Sequence, residues 1–170
     1  MKILIMIMIA LGAAGPAHAH GGEKHGVAAQ GEGGHAAALG QPGDAAQVTR
    51  TVRVSMSDAM RFAPARIEVK QGETIRFRVE NRGKLRHEMV LGTLAELRAH
   101  AELMARFPHM EHDDPNAVTV EPGQTGELMW KFTQPGTFHF ACLIPGHFEA
   151  GMRGIIIVRA NEPASSRRKP

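Results

Sequence analysis

The sequence predicts an all-β sandwich carrying one short helical insert, on three observations. From Val48 onward, short segments alternate apolar and polar side chains, the period-two pattern of half-buried strands. Turns rich in Gly and Pro punctuate them, at Gln71-Gly72-Glu73, Pro122-Gly123 and Gln134-Pro135-Gly136. A single stretch after Thr93 abandons the alternation for apolar residues at helical spacing.

In chain order, Met1 to Ala19 reads as a secretory signal peptide. Lys2 supplies the positive start, Ile3 to Leu11 the apolar core, and Ala17-His18-Ala19 the small-residue cleavage site. That apolar run is too short for a permanent membrane span, so the mature protein is expected to have none. Export to a periplasm follows as the expected location. Twenty basic residues less Lys2 leave 19 against 17 acidic ones, a balance of +2 with neutral histidines. So small a charge, with basic residues scattered apart from Arg167-Arg168-Lys169, does not argue for a nucleic-acid partner.

Residues 20–47 are mostly Gly, Ala, Gln and His with almost no large apolar side chains. Such a composition cannot bury enough surface to offset the entropy of ordering, which predicts a flexible tail. His20, His25 and His35 lie on it, and a short His-bearing tract of this kind is a candidate copper-binding tail. An inert linker is the alternative.

The domain is expected over 48–160. Val52, Val54 and Met56 alternate with polar residues, Ile67 and Val69 repeat the pattern, and Ile75, Phe77 and Val79 face away from Arg76, Arg78 and Glu80. After Asn81-Arg82-Gly83 the chain resumes at Leu85 and His87. Thr93-Leu94-Ala95-Glu96 matches a capping box, in which the Thr oxygen and the Glu carboxylate satisfy free amides at a helix start. Leu94, Leu97, Ala101, Met104 and Phe107 follow, and Pro108 ends the run, so the helical insert is placed at about 93–116. Strands return with Val118 and Val120, then Leu128, Trp130 and Phe132, then Phe138, Phe140 and Cys142 on one face with His139 on the other. Ile155-Ile156-Ile157-Val158, apolar on both faces, predicts a well-covered final strand. Residues 161–170 read as a disordered C-terminal tail.

The chemistry concentrates in one stretch. The only cysteine, Cys142, is followed five residues later by His147 and five after that by Met152. In an oxidising compartment an odd cysteine implies intermolecular pairing or a special role, and metal ligation is such a role. Thiolate, imidazole and thioether suit a soft or borderline metal, and two His, one Cys and a weak Met form a known trigonal copper site. His87, on the alternating strand after the Asn81-Arg82-Gly83 break, is the best source of the second imidazole. Zinc is a poor rival because Met is not among its usual ligands. A Cys/His nucleophile pair lacks a visible orienting group or oxyanion device.

With its ligands in the order His87, Cys142, His147, Met152, the chain resembles the cupredoxins, the small blue-copper proteins, over roughly Val48 to Ala160. The resemblance implies a cupredoxin-like Greek-key β-sandwich, with the helical insert as an addition to the family minimum. It also implies one type 1 copper, held equatorially by Cys142, His87 and His147 and tuned by Met152 as axial ligand. A redox partner would dock near His147, where Ile144, Pro145 and Phe148 add apolar surface. Many members carry Asn or Ser after the first His, supporting the thiolate. Glu88 stands there in this chain and, when ionised, only accepts hydrogen bonds, so that support must be absent or replaced, and the copper could be green rather than blue.

Soft ligands exceed the needs of one site. Met89, His100, Met104, His109, Met110 and His112 form a candidate second metal site, with Asp113 and Asp114 beside the last of them. Together with the His-bearing tail, this surplus resembles the periplasmic copper-tolerance cupredoxins, and copper tolerance through copper binding is the expected function. An electron carrier between periplasmic redox partners is the alternative. No enzymatic role is expected apart from Cu(I) oxidation. The folded domain lacks the His-x-His pairs of multicopper oxidases, and a dinuclear centre of the cytochrome oxidase kind would need a second cysteine.

Overall fold

Two five-stranded sheets face each other in the computed structural model, which describes residues 39–108 and 114–161. The first sheet runs β1 (Gln41–Pro42), β8 (Thr125–Lys131), β5 (Thr74–Asn81), β2 (Arg50–Ser57) and β3 (Arg61–Ala63) from edge to edge. The second runs β4 (Arg66–Lys70), β10 (Arg153–Arg159), β9 (Gly136–Ala141), β6 (His87–Gly92) and β7 (Ala117–Val120). Strands β2 and β5 pair in parallel, as do β4 and β10, and the other pairings are antiparallel. The expected all-β sandwich with one helix is the architecture observed.

Alternation decides which side chains go inside. Val54 and Met56 from β2, Ile75, Phe77 and Val79 from β5, Leu128 and Trp130 from β8, and Phe138 and Phe140 from β9 are buried between the sheets. Phe62 meets Phe140 edge-on at 5.0 Å, and Phe77 meets Phe132 at 6.3 Å, the edge-to-face geometry that ring quadrupoles favour. Gly154 faces Phe140 across the β9–β10 pair, and a Cβ there would collide with the ring.

The helix α1 (Leu94–Arg106) starts as its sequence requires. Thr93 accepts from the Glu96 amide, and Glu96 accepts from the Thr93 amide at 2.7 Å, completing the capping box. Its buried stripe of Leu97, Ala101 and Met104 covers the outer face of the second sheet, packing with Val90, Ala141, Leu143 and Phe148. Phe107, at the helix end, is 56% exposed and does not join that stripe. The second sheet is therefore buried on both faces near β6 and β9.

Two expectations are corrected. Residues 39–47 belong to the fold and not to a flexible tail: Leu39 is 2% exposed in the main core, Trp130 Nε1 donates to its carbonyl at 3.3 Å, and β1 pairs with β8. One leucine and a few backbone hydrogen bonds suffice because they land on a prepared edge, which segment composition does not reveal. The final strand is interior in its sheet, between β4 and β9, but covered on one face only. Ile156 and Val158 are buried whereas Ile155 is 36% exposed, since the helix reaches β6 and β9 instead. The segment read as signal peptide (1–19) and, apart from Asn161, the segment read as C-terminal tail (161–170) lie outside the described residues. Among those described, no helix is long and apolar enough to cross a membrane.

Candidate metal centre

His87 opens β6, and three contacts deliver it there. Asn81, at the end of β5 and 1% exposed, donates through Nδ2 to the Leu85 carbonyl at 2.8 Å and to the Val120 carbonyl at 2.9 Å. Its Oδ1 accepts from the Gly83 amide, which tightens the connecting loop. Pairing of His87 with Val120 then fixes the register of β6. Cys142 follows the last residue of β9, the strand antiparallel to β6, and its amide donates to the Met152 carbonyl at 3.1 Å. The Met152 amide in turn donates to the His147 carbonyl, so one backbone loop carries Cys142, His147 and Met152 together.

The side chains converge. His87 Nδ1 lies 3.2 Å from His147 Nδ1, and Cys142 Sγ lies 3.2 Å from the same His147 nitrogen. One donor atom from each of these three residues falls within 4.8 Å of the others, close enough for a single ion to touch all three. His87, Cys142 and Met152 are each 0% exposed, while His147 is only half-buried. Met152 shares the main core with Cys142.

Burial holds Cys142 and His147 neutral. Burial pushes the Cys142 thiol up to about 12, partly offset by the backbone amides of Glu88 and Ile144 that point at the sulfur. Burial also lowers His147, with His87 adding to the effect, so its imidazole is neutral at pH 7. Two imidazoles and a thiol that gives up its proton to a metal are the donor set of a soft or borderline ion. The residues present fit copper.

Glu88 answers the question raised by its position. It is 6% exposed, and its carboxylate accepts from the Leu143 amide at 2.8 Å, bridging the residues that follow each of two ligands. The Asn or Ser found in many members is thus replaced by a clamp that acts on the backbone next to the sulfur.

Other predicted residues separate. Met89 is fully buried between the sheets and Met104 lies under the helix on the opposite face of the second sheet, so these two do not share a site. Strand alternation had put Met89 on the face of His87, and that face is the core. His100 sits partly buried on α1. His109, Met110 and His112, like His20, His25 and His35, lie outside the described residues. Phe148 turns into the helix-side cluster, with Arg153 stacked 5.6 Å above its ring, leaving Ile144 and the exposed Pro145 beside His147. Asp58, which sequence reasoning missed, sits 3.1 Å from His87 Nε2 and also accepts from the amides of Lys84 and Leu85. Those contacts, the Lys84 amide foremost, lower its carboxyl from the usual range.

A two-sheet sandwich whose last loop brings Cys142 and His147 to the strand-borne His87, with Met152 on the same loop, defines a small copper-binding protein. The chain belongs to the plastocyanin/azurin family of copper binding proteins, whose model matches residues 48–159. It is 56% identical over 145 residues to the copper-resistant cuproprotein CopI of Rubrivivax gelatinosus, covering 84% of this chain and 88% of that one. The CopI of Pseudomonas aeruginosa is 40% identical, over 79% of this chain and 90% of its own. Among solved structures, reduced auracyanin from Roseiflexus castenholzii shares the fold, with a TM-score of 0.57 at 22% identity over 66% of this chain and 98% of that one.

Proposed function

We propose that this protein is an exported periplasmic cupredoxin that confers copper tolerance by binding copper in one type 1 site. The observation that carries this reading is the convergence of His87, Cys142 and His147 at the end of a rigid sandwich. Cys142, His87 and His147 would hold the metal, and the buried Met152 on the same loop would be the further, weak ligand that tunes it. Copper supplies one-electron chemistry between Cu(I) and Cu(II). The chain's own part is to pre-place the donors, exclude water around the sulfur and take back the thiol proton on metal release.

The copper-resistance names of the relatives support tolerance over simple electron carriage. Electron transfer keeps one observation in its favour. His147 is the least buried ligand, with the exposed Pro145 and the 48% exposed Leu85 nearby in the loops that carry the site, where a redox partner could approach.

The test is growth of a deletion strain in excess copper, with wild-type protein or Cys142→Ser restored. Wild type should rescue growth and, when purified with Cu(II), show intense visible thiolate-to-copper absorption; Cys142→Ser should do neither. Full rescue by Cys142→Ser would rule out the type 1 site as the basis of tolerance.

A further inference from the structure

We infer that Asp58 is a positioning residue of the metal centre, its carboxylate orienting His87 through Nε2 so that Nδ1 faces the metal. The inference rests on the copper reading of the same site and concerns a residue outside the ligand set.

Asp58 lies in the turn between β2 and β3, in the first sheet, whereas His87 opens β6 in the second. The contact therefore spans the end of the sandwich. Asp58 Oδ1 is 3.1 Å from His87 Nε2 on one side of the ring, and His87 Nδ1 is 3.2 Å from His147 Nδ1 on the other. A carboxylate oxygen accepts, so Nε2 carries a proton and Nδ1 is the nitrogen left to face the metal. A buried imidazole without such a partner would be free to hold either tautomer.

Asp58 is itself fixed in place. Oδ2 accepts from the Lys84 amide at 2.7 Å, and Oδ1 also accepts from the Leu85 amide at 3.2 Å. Both amides belong to the loop that leads into His87, so one carboxylate sets the loop and the ring together. The turn that presents it closes with the Met60 amide donating to the Ser57 carbonyl at 2.9 Å, and Met60 takes a φ of 57°, unusual for a side chain of its kind. Gly83 leaves the space Asp58 occupies, since a Cβ at that position would overlap its carboxylate. Three separate local features thus converge on placing this oxygen behind His87.

A charged acceptor behind a ligating imidazole strengthens the nitrogen as a donor, and it favours the more positive oxidation state of the metal. Asp58 would thereby bias the centre toward Cu(II). If it served only to satisfy the Lys84 and Leu85 amides, its charge would not matter to the metal.

Two measurements separate these roles. In metal-free wild-type protein, imidazole nitrogen NMR shifts should report the Nε2–H tautomer for His87; an Nδ1–H tautomer overturns the inference without any variant or copper. Asp58→Asn keeps the shape and an acceptor oxygen but removes the charge. It should retain the visible band, weaken Cu(II) binding about 10–100-fold and weaken Cu(I) binding less, raising the reduction potential by about 59 mV for each tenfold change in the affinity ratio. A variant that melts at lower temperature yet keeps the wild-type potential would make Asp58 a loop cap and overturn the inference, as would a variant unchanged in every respect. A wild-type protein that fails to bind copper at all would instead sink the copper reading itself, and the tautomer measurement would still stand alone.

Discussion

The two histidines of the centre are held in opposite ways. His87 is a strand residue, 0% exposed, gripped at Nε2 by a carboxylate and at its backbone by the β6–β7 register. His147 is a loop residue, half-buried, placed by backbone turns from Ile144 to Gly151 and bordered by the exposed Pro145 and Gly146. One ligand belongs to the scaffold and the other to the surface. The difference teaches where the site is enclosed and where it meets the outside: the His87 side is closed by the scaffold, and the His147 side borders exposed loop residues.

Removing each ring should expose that difference most strongly. His147→Gly leaves a gap open to solvent, so added imidazole should restore the visible band of the copper protein. His87→Gly leaves a closed gap behind β6, and the same imidazole should restore little or nothing. Equal rescue of both variants, followed by visible titration with imidazole, would erase the distinction.

The buried sulfur gives the next largest effect. With the folded Cys142 thiol pushed up to about 12 against an ordinary value of 9.0, the folded apo-protein holds a proton that the unfolded chain releases between those values. Stability of the apo-protein should be fully present below pH 9 and fall as pH rises toward 12, by on the order of a few kcal/mol. The copper form, whose sulfur is already a thiolate, should lack this alkaline loss. Denaturant unfolding of both forms across that range checks it; parallel curves would mean the thiol is not held in its protonated form by burial.

The clamp beside the ligands should matter less. Glu88→Ala strands the buried Leu143 amide and should cost about 1–3 kcal/mol of stability, with the visible band shifted because the backbone next to the sulfur relaxes. Thermal melting and absorption spectra measure the two effects together. Loss of stability with an unmoved band would confine Glu88 to folding.

Met152→Leu should be the mildest change in binding. Leucine preserves the apolar packing of a residue buried in the main core, and a weak axial ligand contributes more to potential than to affinity. Copper should stay bound while the potential shifts, as voltammetry would record. A variant unable to keep copper would promote Met152 to a principal ligand.

Much of this centre was legible in the sequence because its signals are local. Cys142, His147 and Met152 lie on one short loop, and the capping box at Thr93 to Glu96 spans one helical turn. The strands followed from alternation, which needs only the neighbouring residues, so the sandwich and the inward face of Cys142 were readable from the sequence. The same locality misled at Met89: alternation placed it beside His87, but could not tell a ligand face from a core face.

What the sequence determined by itself is therefore the all-β class, the helix, the ligand types and their order along the chain. The tertiary structure alone decided that Asp58 backs His87 from 29 residues away, and that Glu88 clamps Leu143 across 55. It also decided that Leu39 closes the core over Trp130 from 91 residues away. The physical reason is common to all three. Each is a hydrogen bond between groups that the chain leaves far apart: Asp58 and His87 meet where the two sheets dock, whereas Glu88–Leu143 and Leu39–Trp130 are brought together by strand pairing within one sheet, and no spacing rule along the chain encodes which distant strands come together.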